Sequence, residues 1–247
     1  LIETFVSVSS NRRRKRPREK FQLLEIVISI FVNNSTVNLL KIICKSITAC
    51  PSIVSKKEWG GLKPIHVSYL LRPVDLVIIQ HTVTPFCSTD GTCTEAARSI
   101  QNYQVDELGY WDIGMSFLVG GNGKIYEGCG WLHVGAHTYG YNSKSIGISF
   151  IGNYNSEYFA QLEAVKELLR CGVEEGHLSA DYKVVGHKQL IATQSPGRRL
   201  YQVIRTWPEW LEDVTSIKNK IVCTCFYAPS LTQSPTIVPL FLIMFFT

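Results

Sequence analysis

Three features that would indicate a zinc domain, a repeat architecture or a membrane-spanning helix are missing from this 247-residue sequence. No two cysteines have the Cys-x-x-Cys spacing of structural zinc sites, and no internal repeat is present. No apolar run reaches the ~20 residues that a membrane-spanning helix needs, because Glu25 interrupts residues 21–32 and residues 237–247 are too few. The sequence therefore predicts no paired-cysteine zinc domain, no repeat architecture and no spanning helix.

An excess of positive charge is missing from most of the chain, although the formal net charge is +5. Residues 1–49 hold 9 Lys or Arg and 3 Asp or Glu, whereas residues 50–247 hold 16 Lys or Arg and 17 Asp or Glu. Proteins that bind a phosphate backbone need clustered positive charge. We therefore expect no nucleic-acid partner.

The first 49 residues differ in composition from the middle of the chain. The basic run NRRRKRPREK at residues 11–20 precedes the short apolar stretch at 21–32. This order is similar to that of a secretory signal, although its regions are untidy. A disordered basic tail is the alternative for residues 1–49.

The other end of the chain, residues 214–247, is predicted to be a disordered tail. Its last residues, 237–247, read IVPLFLIMFFT and follow a spacer of Pro, Ser and Thr, as in a lipid-anchor signal. A translated non-coding end would give the same pattern. One domain over residues 50–213 is left, in keeping with the usual size of a single core.

Eight cysteines indicate either zinc sites or an oxidising compartment. Cys87 and Cys93 bracket a polar segment of turn-forming residues, which suits a small loop closed by a disulfide. Since paired zinc spacing is absent, the cysteines favour secretion. Reduced thiols that pack as small apolar groups are the alternative.

Strands alternate with helices through the middle of the chain. Apolar runs and turn residues predict strands over 74–80, 116–119, 124–127, 146–151 and 182–186. Helical spacing and end signals predict helices over 92–108, from a Ser156 cap to Gly176, and over 199–213. This order predicts an α/β fold in which a central mixed β-sheet is flanked by about three helices.

Polar side chains follow two of the predicted buried strands directly. His81 follows residues 74–80, His187 follows residues 182–186, and Ser195 comes next in a Pro-Gly loop. Two imidazoles and a third donor would be the layout of an open zinc site, but a serine hydroxyl is a poor zinc ligand near neutral pH. We expect weak zinc binding at most. Structural hydrogen bonding is the alternative for each histidine.

Six segments in a fixed order carry a resemblance to a known family. They are VIIQHTVT, WDIGMSFLVGGNGKIYEGCGW, GAHTYGYN, SIGISFIGNY, VVGHKQL and TQSPG. With these motifs the sequence resembles the peptidoglycan recognition proteins over about residues 50–213. The resemblance implies an amidase-like fold, similar to phage-type zinc enzymes that cut the bond between N-acetylmuramic acid and L-alanine.

The resemblance also implies that catalysis has been lost. In catalytic members a His, a second His and a Cys hold zinc, and their positions are His81, His187 and Ser195 here. A tyrosine that assists hydrolysis stands where this chain has Met115. The implied protein is a secreted innate-immune receptor with no cofactor. A zinc-dependent amidase with residual activity, Ser195 as a nucleophile, and an adhesive extracellular domain are the alternatives.

A ligand groove is also carried over from the family. The implied positions are His81, Thr82, Gln104, Gly109, Tyr110, Trp111, Met115, Cys129, His137 and Asn142. Members that prefer diaminopimelate peptides tend to have Arg at the position of Cys129, but they also tend to have Gly-Trp where this chain has Gly109-Tyr110. The two indicators disagree, and the missing charge favours lysine-type peptidoglycan. Asp112 is predicted to be a loop hydrogen-bonder.

The resemblance pairs Cys87 with Cys93 and Cys50 with Cys171. It leaves four cysteines unassigned, namely Cys44, Cys129, Cys223 and Cys225. The implied partners are bacterial muropeptides, together with immune signalling proteins or proteases.

Overall fold

A computed structural model describes residues 50–155 and 161–218, which form a mixed sheet with helices packed against it. The strands are β1 (Ile53–Val54), β2 (Val74–His81), β3 (Phe117–Val119), β4 (Ile125–Glu127), β5 (Ile146–Phe150) and β6 (Leu178–Gly186). The helices are α1 (Asp90–Asn102), α2 (Leu162–Glu174), α3 (His187–Leu190) and α4 (Arg198–Ile204). The sheet order is β1-β4-β3-β5-β2-β6, and the β3–β4 pair is antiparallel while the others are parallel. This architecture confirms the predicted fold class.

The central strands are apolar because they are covered on both faces. β2 lies between β5 and β6, and every residue of β2 except Asp75 is buried. All five residues of β5 are buried as well. The predicted strands are confirmed, although β6 begins four residues before the predicted start at Tyr182.

Helix α1 begins earlier and ends sooner than the predicted 92–108. Thr89 caps it, with its side chain accepting a hydrogen bond from the Thr92 N–H at 3.2 Å. After Asn102 the chain continues as a wider π-helical turn, Tyr103–Glu107, which closes with a hydrogen bond from the Leu108 N–H to the Tyr103 carbonyl at 3.2 Å. A π turn inside a helix often lies at a functional site.

Helix α2 packs its apolar face into the largest core cluster through Val165, Leu168 and Leu169. It ends just before Gly176, whose positive φ of 74° ends a helix at low cost. The predicted cap Ser156 lies outside the described residues.

The last predicted helix, 199–213, is wrong in its extent. Helix α4 ends at Ile204 because Pro208 has no backbone N–H and disfavours helical geometry in the residue before it. The chain then runs beside β6: the Val184 N–H donates to the Glu209 carbonyl at 2.9 Å, and the Leu211 N–H donates to the Val184 carbonyl at 3.0 Å.

Packing continues past the predicted domain end at residue 213. Val214 and Ile217, which were assigned to the tail, lie against a core cluster that includes Leu76 and Val185. Residues 1–49 and 219–247, with both predicted tail signals, lie outside the described residues. Within 50–155 and 161–218, no helix combines the length and apolarity needed to cross a membrane.

A disulfide joins Cys87 to Cys93, with an S–S distance of 2.00 Å, and ties the loop after β2 to helix α1. Cys50 and Cys171 are each disulfide-bonded, and their pairing with each other stays a prediction. Cys129 is buried with a free thiol. The other unassigned cysteines, Cys44, Cys223 and Cys225, lie outside the described residues.

Candidate functional site

The sheet brings the two histidines that follow buried strands to one edge. β2 and β6 are parallel neighbours with Ile79 opposite Gly186, so His81 and His187 leave the sheet side by side. A cleft of about 780 Å³ opens there. Ser195 lines the same cleft, and its Oγ accepts a hydrogen bond from the His81 N–H at 3.1 Å. The three positions predicted from the sequence as a degenerate metal site therefore lie together.

The His81 ring is fixed by a hydrogen bond from the backbone of Tyr154. Its Nδ1 accepts a hydrogen bond from the Tyr154 N–H at 3.1 Å, so the neutral ring carries its proton on Nε2. Gly197 allows this packing, because a Cβ there would lie 3.0 Å from Cε1 of His81 and 2.7 Å from the Tyr154 carbonyl group. Burial lowers the pKa of His81.

Two further imidazoles line the cleft. Burial, and secondarily the charge of His187, lowers the pKa of His137 to about 3. Burial, and secondarily the charge of His81, lowers the pKa of His187 to about 4. These rings are neutral at pH 7. The Nε2 atoms of His81, His137 and His187 are buried and have no hydrogen-bond partner among the described residues. Such atoms need a polar partner, which a ligand can supply.

The loop that carries His137 is held by the side chain of Asn142. Asn142 Oδ1 accepts hydrogen bonds from the N–H groups of His137 at 3.0 Å and Thr138 at 2.7 Å. Gly147 on β5 leaves room for the ring, since a Cβ there would lie 2.5 Å from His137 Cγ. Asn142 lines neither this cleft nor the smaller cavity next to it and instead supports the His137 loop, and its predicted role as a groove residue stays a prediction.

The other predicted groove residues divide between this cleft and a smaller cavity of about 290 Å³. Thr82, Gln104 and Met115 line the larger cleft. Gly109, Trp111 and Cys129 line the smaller cavity. Tyr110 lines both, so the two cavities share one wall.

Met115 places a thioether in the larger cleft. The residue is buried at the edge of β3, and Gln104 Nε2 lies 3.5 Å from its sulfur. The Gln104 Oε1 accepts a hydrogen bond from the Gly114 N–H at 2.8 Å. Thioether sulfur is a weak acceptor and has no proton to donate.

The smaller cavity is lined by two histidines, His66 and His133, but by no Lys or Arg. Burial raises the pKa of the Cys129 thiol to about 12, so the thiol stays neutral. Its sulfur lies 3.9 Å from Ser116 Oγ. Neither cavity lining includes Lys or Arg, and the carboxylates that line them are Glu95 and Asp112. A ligand here meets aromatic faces, imidazoles and other hydrogen-bonding groups, and no Lys or Arg side chain.

One wall of the larger cleft was missed by sequence reasoning. Thr92, Glu95 and Ser99 on α1 line the cleft, and Tyr103 in the π turn continues the row. These residues are three or four positions apart, which places them on one helix face. That spacing was visible in the sequence, but polar residues at helical spacing are usually read as a solvated face.

Residues 70–198 match the family model of N-acetylmuramoyl-L-alanine amidase. A Bombyx mori protein named peptidoglycan recognition protein is 67% identical over 175 residues, which cover 70% of this chain and 89% of the relative. The solved structure of Manduca sexta peptidoglycan recognition protein-1 is 59% identical with a TM-score of 0.67, covering 69% of this chain and 98% of that one.

A third similar protein was solved with a ligand. It is peptidoglycan recognition protein-LE in complex with tracheal cytotoxin, a monomeric diaminopimelic acid-type peptidoglycan. It is 43% identical to this chain, with a TM-score of 0.63, and the match covers 64% of this chain and 95% of that one.

Proposed function

Because this chain belongs to the peptidoglycan recognition protein family, we propose that its cleft binds bacterial muropeptides for innate-immune recognition and does not cut them. The chain covers most of the length of its relatives, and a related protein was solved with a peptidoglycan fragment bound. The cleft that the family uses is therefore expected to serve the same class of ligand here.

The observation that carries the proposal is that two cavities sharing Tyr110 lie at the ends of β2 and β6, beside the positions of the implied metal site. Three histidines line the larger cavity, and their buried Nε2 atoms have no hydrogen-bond partner among the described residues. Aromatic faces cover sugar C–H surfaces, and imidazole N–H groups satisfy amide carbonyls that would otherwise be buried unpaired. At the same place, Ser195 and Met115 replace the thiolate and the phenol of the amidase layout.

Zinc fits this donor set poorly. A serine hydroxyl offers neither the charge nor the softness of a thiolate, and Ser195 Oγ already accepts a hydrogen bond from the His81 N–H. His81 also accepts at Nδ1 from the Tyr154 N–H, which occupies that nitrogen and leaves the proton of the neutral ring on Nε2. We infer that zinc binds weakly at most, and no catalytic step is assigned to it.

An amidase would have to lower the pKa of a bound water and stabilise a developing oxyanion, and each effect supplies several kcal/mol. Without a thiolate and a phenol, we expect little turnover. Ser195 as a nucleophile is also disfavoured, because the histidine group bonded to its Oγ is the His81 backbone N–H, and no imidazole nitrogen within residues 50–155 and 161–218 is hydrogen-bonded to that oxygen.

We further propose a preference for lysine-type stems. A diaminopimelate stem carries an extra carboxylate, which needs a cation or several donors when it is desolvated. Cys129 is neutral, and no Lys or Arg lines either cavity. Replacing Cys129 with Arg is expected to shift the preference toward diaminopimelate.

Titration calorimetry tests the binding proposal directly. Lysine-type and diaminopimelate-type muropeptides are injected separately into the folded protein. We expect heat of binding with the lysine-type ligand and weaker binding of the other. Absence of heat with both ligands would sink the proposal and favour an adhesive domain with an incidental groove.

Secretion and an immune signalling partner complete the proposal. The Cys87–Cys93 disulfide supports an oxidising compartment. N-terminal sequencing of the mature protein from secreting cells tests this, and recovery of the protein in the cytosol alone would contradict it.

A further inference from the structure

The wall shared by the two cavities is a loop between the π turn and β3. Tyr110 lines both cavities and Trp111 lines the smaller one, with 57% of the Trp111 surface exposed. Exposed aromatic side chains on a loop can contact a ligand well only if the loop backbone is fixed. What fixes this loop is therefore a question about ligand affinity.

Asp112, the next residue along, also lines the smaller cavity, but both of its carboxylate oxygens are engaged by partners within the protein. Its Oδ1 accepts hydrogen bonds from the Ile113 N–H at 2.7 Å and from Gln101 Nε2 at 2.8 Å. Its Oδ2 pairs with Lys56 Nζ. The side chains of Lys56 and Asp112 are 15% and 11% exposed, so this ion pair is mostly shielded from water.

Gln101 extends the network into the segment that precedes β2. It is 1% exposed, and its Oε1 accepts from the Leu62 N–H at 2.7 Å while its Nε2 donates to the Leu62 carbonyl at 3.0 Å. Both polar atoms of the Gln101 side-chain amide are thus used. Asp112 is therefore the point where three segments meet: helix α1, the segment between β1 and β2, and the loop that carries Tyr110 and Trp111.

The other end of the network is anchored at β4. The Lys56 N–H donates to Glu127 Oε2 at 2.9 Å, and the Trp59 indole N–H donates to the Glu127 carbonyl at 2.9 Å. Trp59 is fully buried. The cation that faces Asp112 therefore sits on a segment held to the sheet.

A second set of bonds fixes the loop on either side of Asp112. The Tyr110 N–H donates to the Gln104 carbonyl at 2.9 Å, and the Gly114 N–H donates to Gln104 Oε1 at 2.8 Å. The Ile65 N–H donates to the Trp111 carbonyl at 2.8 Å. Trp111 thus lies between Asp112 and Tyr110, both of which are anchored.

Stability alone is a weak explanation for this arrangement. A shielded ion pair gains little net stability over apolar side chains of similar volume, because two charges must be desolvated. The three fixed partners of the Asp112 carboxylate do, however, hold Asp112 and its neighbours in the loop in one defined position. We propose that Asp112, with Lys56 and Gln101, is a positioning residue that sets the Tyr110–Trp111 wall of the muropeptide groove, an inference that rests on the proposed function.

Two substitutions of Asp112 test the proposal. Asp112→Ala removes all three contacts, whereas Asp112→Asn keeps an acceptor for the Ile113 N–H and Gln101 but loses the ion pair. We expect the affinity for a lysine-type muropeptide, measured by titration calorimetry, to fall about tenfold for Asp112→Ala, or about 1.4 kcal/mol, and less for Asp112→Asn. If Asp112→Ala does not fold, the affinity of Asp112→Asn for the muropeptide tests the proposal.

Two matched controls separate positioning from general damage. Glu163→Gln neutralises an exposed carboxylate paired with Lys166 on α2, far along the chain from the loop. Val165→Ala destabilises the core without touching the groove. Both controls should keep wild-type affinity while folded. Affinity of the Asp112 variants within twofold of wild type, or an equal loss in Val165→Ala, overturns the proposal.

Hydrogen exchange gives a readout that needs no ligand. In Asp112→Asn we expect faster amide exchange in residues 109–114 and unchanged exchange in β2 and β5. Unchanged exchange in 109–114 contradicts the positioning role. If the wild-type protein gives no heat with either muropeptide, the proposed function fails while the exchange result still decides the role of Asp112.

Discussion

The larger cleft and the smaller cavity share Tyr110 but offer a ligand different chemistry. The larger cleft is lined by His81, His137 and His187, together with Ser195 and Met115. The smaller cavity presents Trp111 and the neutral thiol of Cys129. The larger cleft holds the positions proposed as a degenerate metal centre, and the smaller cavity is proposed to contact the peptide stem.

The comparison shows why the two can separate. The cleft is shaped by strand ends and by hydrogen bonds from backbone N–H groups to side chains, such as those from Tyr154 to His81 Nδ1 and from His81 to Ser195 Oγ. None of these bonds needs a thiolate or a phenol. Under the proposed function, Ser195 and Met115 therefore change the chemistry of the cleft and leave its shape.

The largest expected effect comes from restoring the missing ligand. Ser195→Cys should raise zinc affinity by about 100-fold, or about 2.7 kcal/mol, because a thiolate adds charge and softness to the two imidazoles. Competition with a zinc-binding dye measures this. Ser99→Cys is the control, since it adds a thiol to the α1 wall of the same cleft.

Unchanged zinc affinity in Ser195→Cys would mean that His81, His187 and position 195 do not form a ligand set. The double variant Ser195→Cys, Met115→Tyr extends the test by restoring the phenol as well. Amide cleavage by the double variant, absent from Ser195→Cys alone, would assign the catalytic position to residue 115.

The next largest effect is expected from removing the side chain of Tyr110, which lines both cavities. Tyr110→Ala should weaken muropeptide binding about 30-fold, or about 2 kcal/mol, as expected for a central aromatic contact. Tyr139→Ala is the matched control, because Tyr139 is 92% exposed and lines neither cavity. Equal affinities of the two variants in titration calorimetry would remove Tyr110 from the ligand site.

The smallest effect is the contribution of a single histidine to acid stability. The folded-state pKa values of His137 and His187, about 3 and about 4, lie below the ordinary value near 6.5. The unfolded chain therefore binds protons first, and the free energy of unfolding should fall as pH drops below 6.5, by less than about 1.4 kcal/mol per pH unit for each ring.

Urea unfolding at pH 7 and pH 5 measures this dependence, in a range above most carboxylate titration. His137→Gln removes one titrating ring and should flatten the dependence. An identical slope in wild type and variant would show that His137 is protonated as easily in the folded protein as in the unfolded chain.

Much of the fold could be predicted because apolar runs and end signals are local. β2 and β5 are recognisable as buried strands, and the register between β2 and β6 then places His81 beside His187. The extent of α4 was mispredicted although Pro208 was visible, because apolar spacing continues beyond it.

Other parts of the site depend on contacts between distant segments. Asn142 has the residue type of a ligand contact, yet its side-chain Oδ1 accepts hydrogen bonds from two backbone N–H groups of the His137 loop. The partnership of Lys56 with Asp112 spans 56 positions in sequence. Neither apolar periodicity nor a sequence motif predicts contact between two residues so far apart in the chain.

Native mass spectrometry of the wild-type protein with a lysine-type muropeptide and zinc tests the central claim most directly. The account predicts a one-to-one complex in which the muropeptide keeps its full mass after prolonged incubation. Steady release of separate sugar and peptide fragments, or no complex at all, would contradict it.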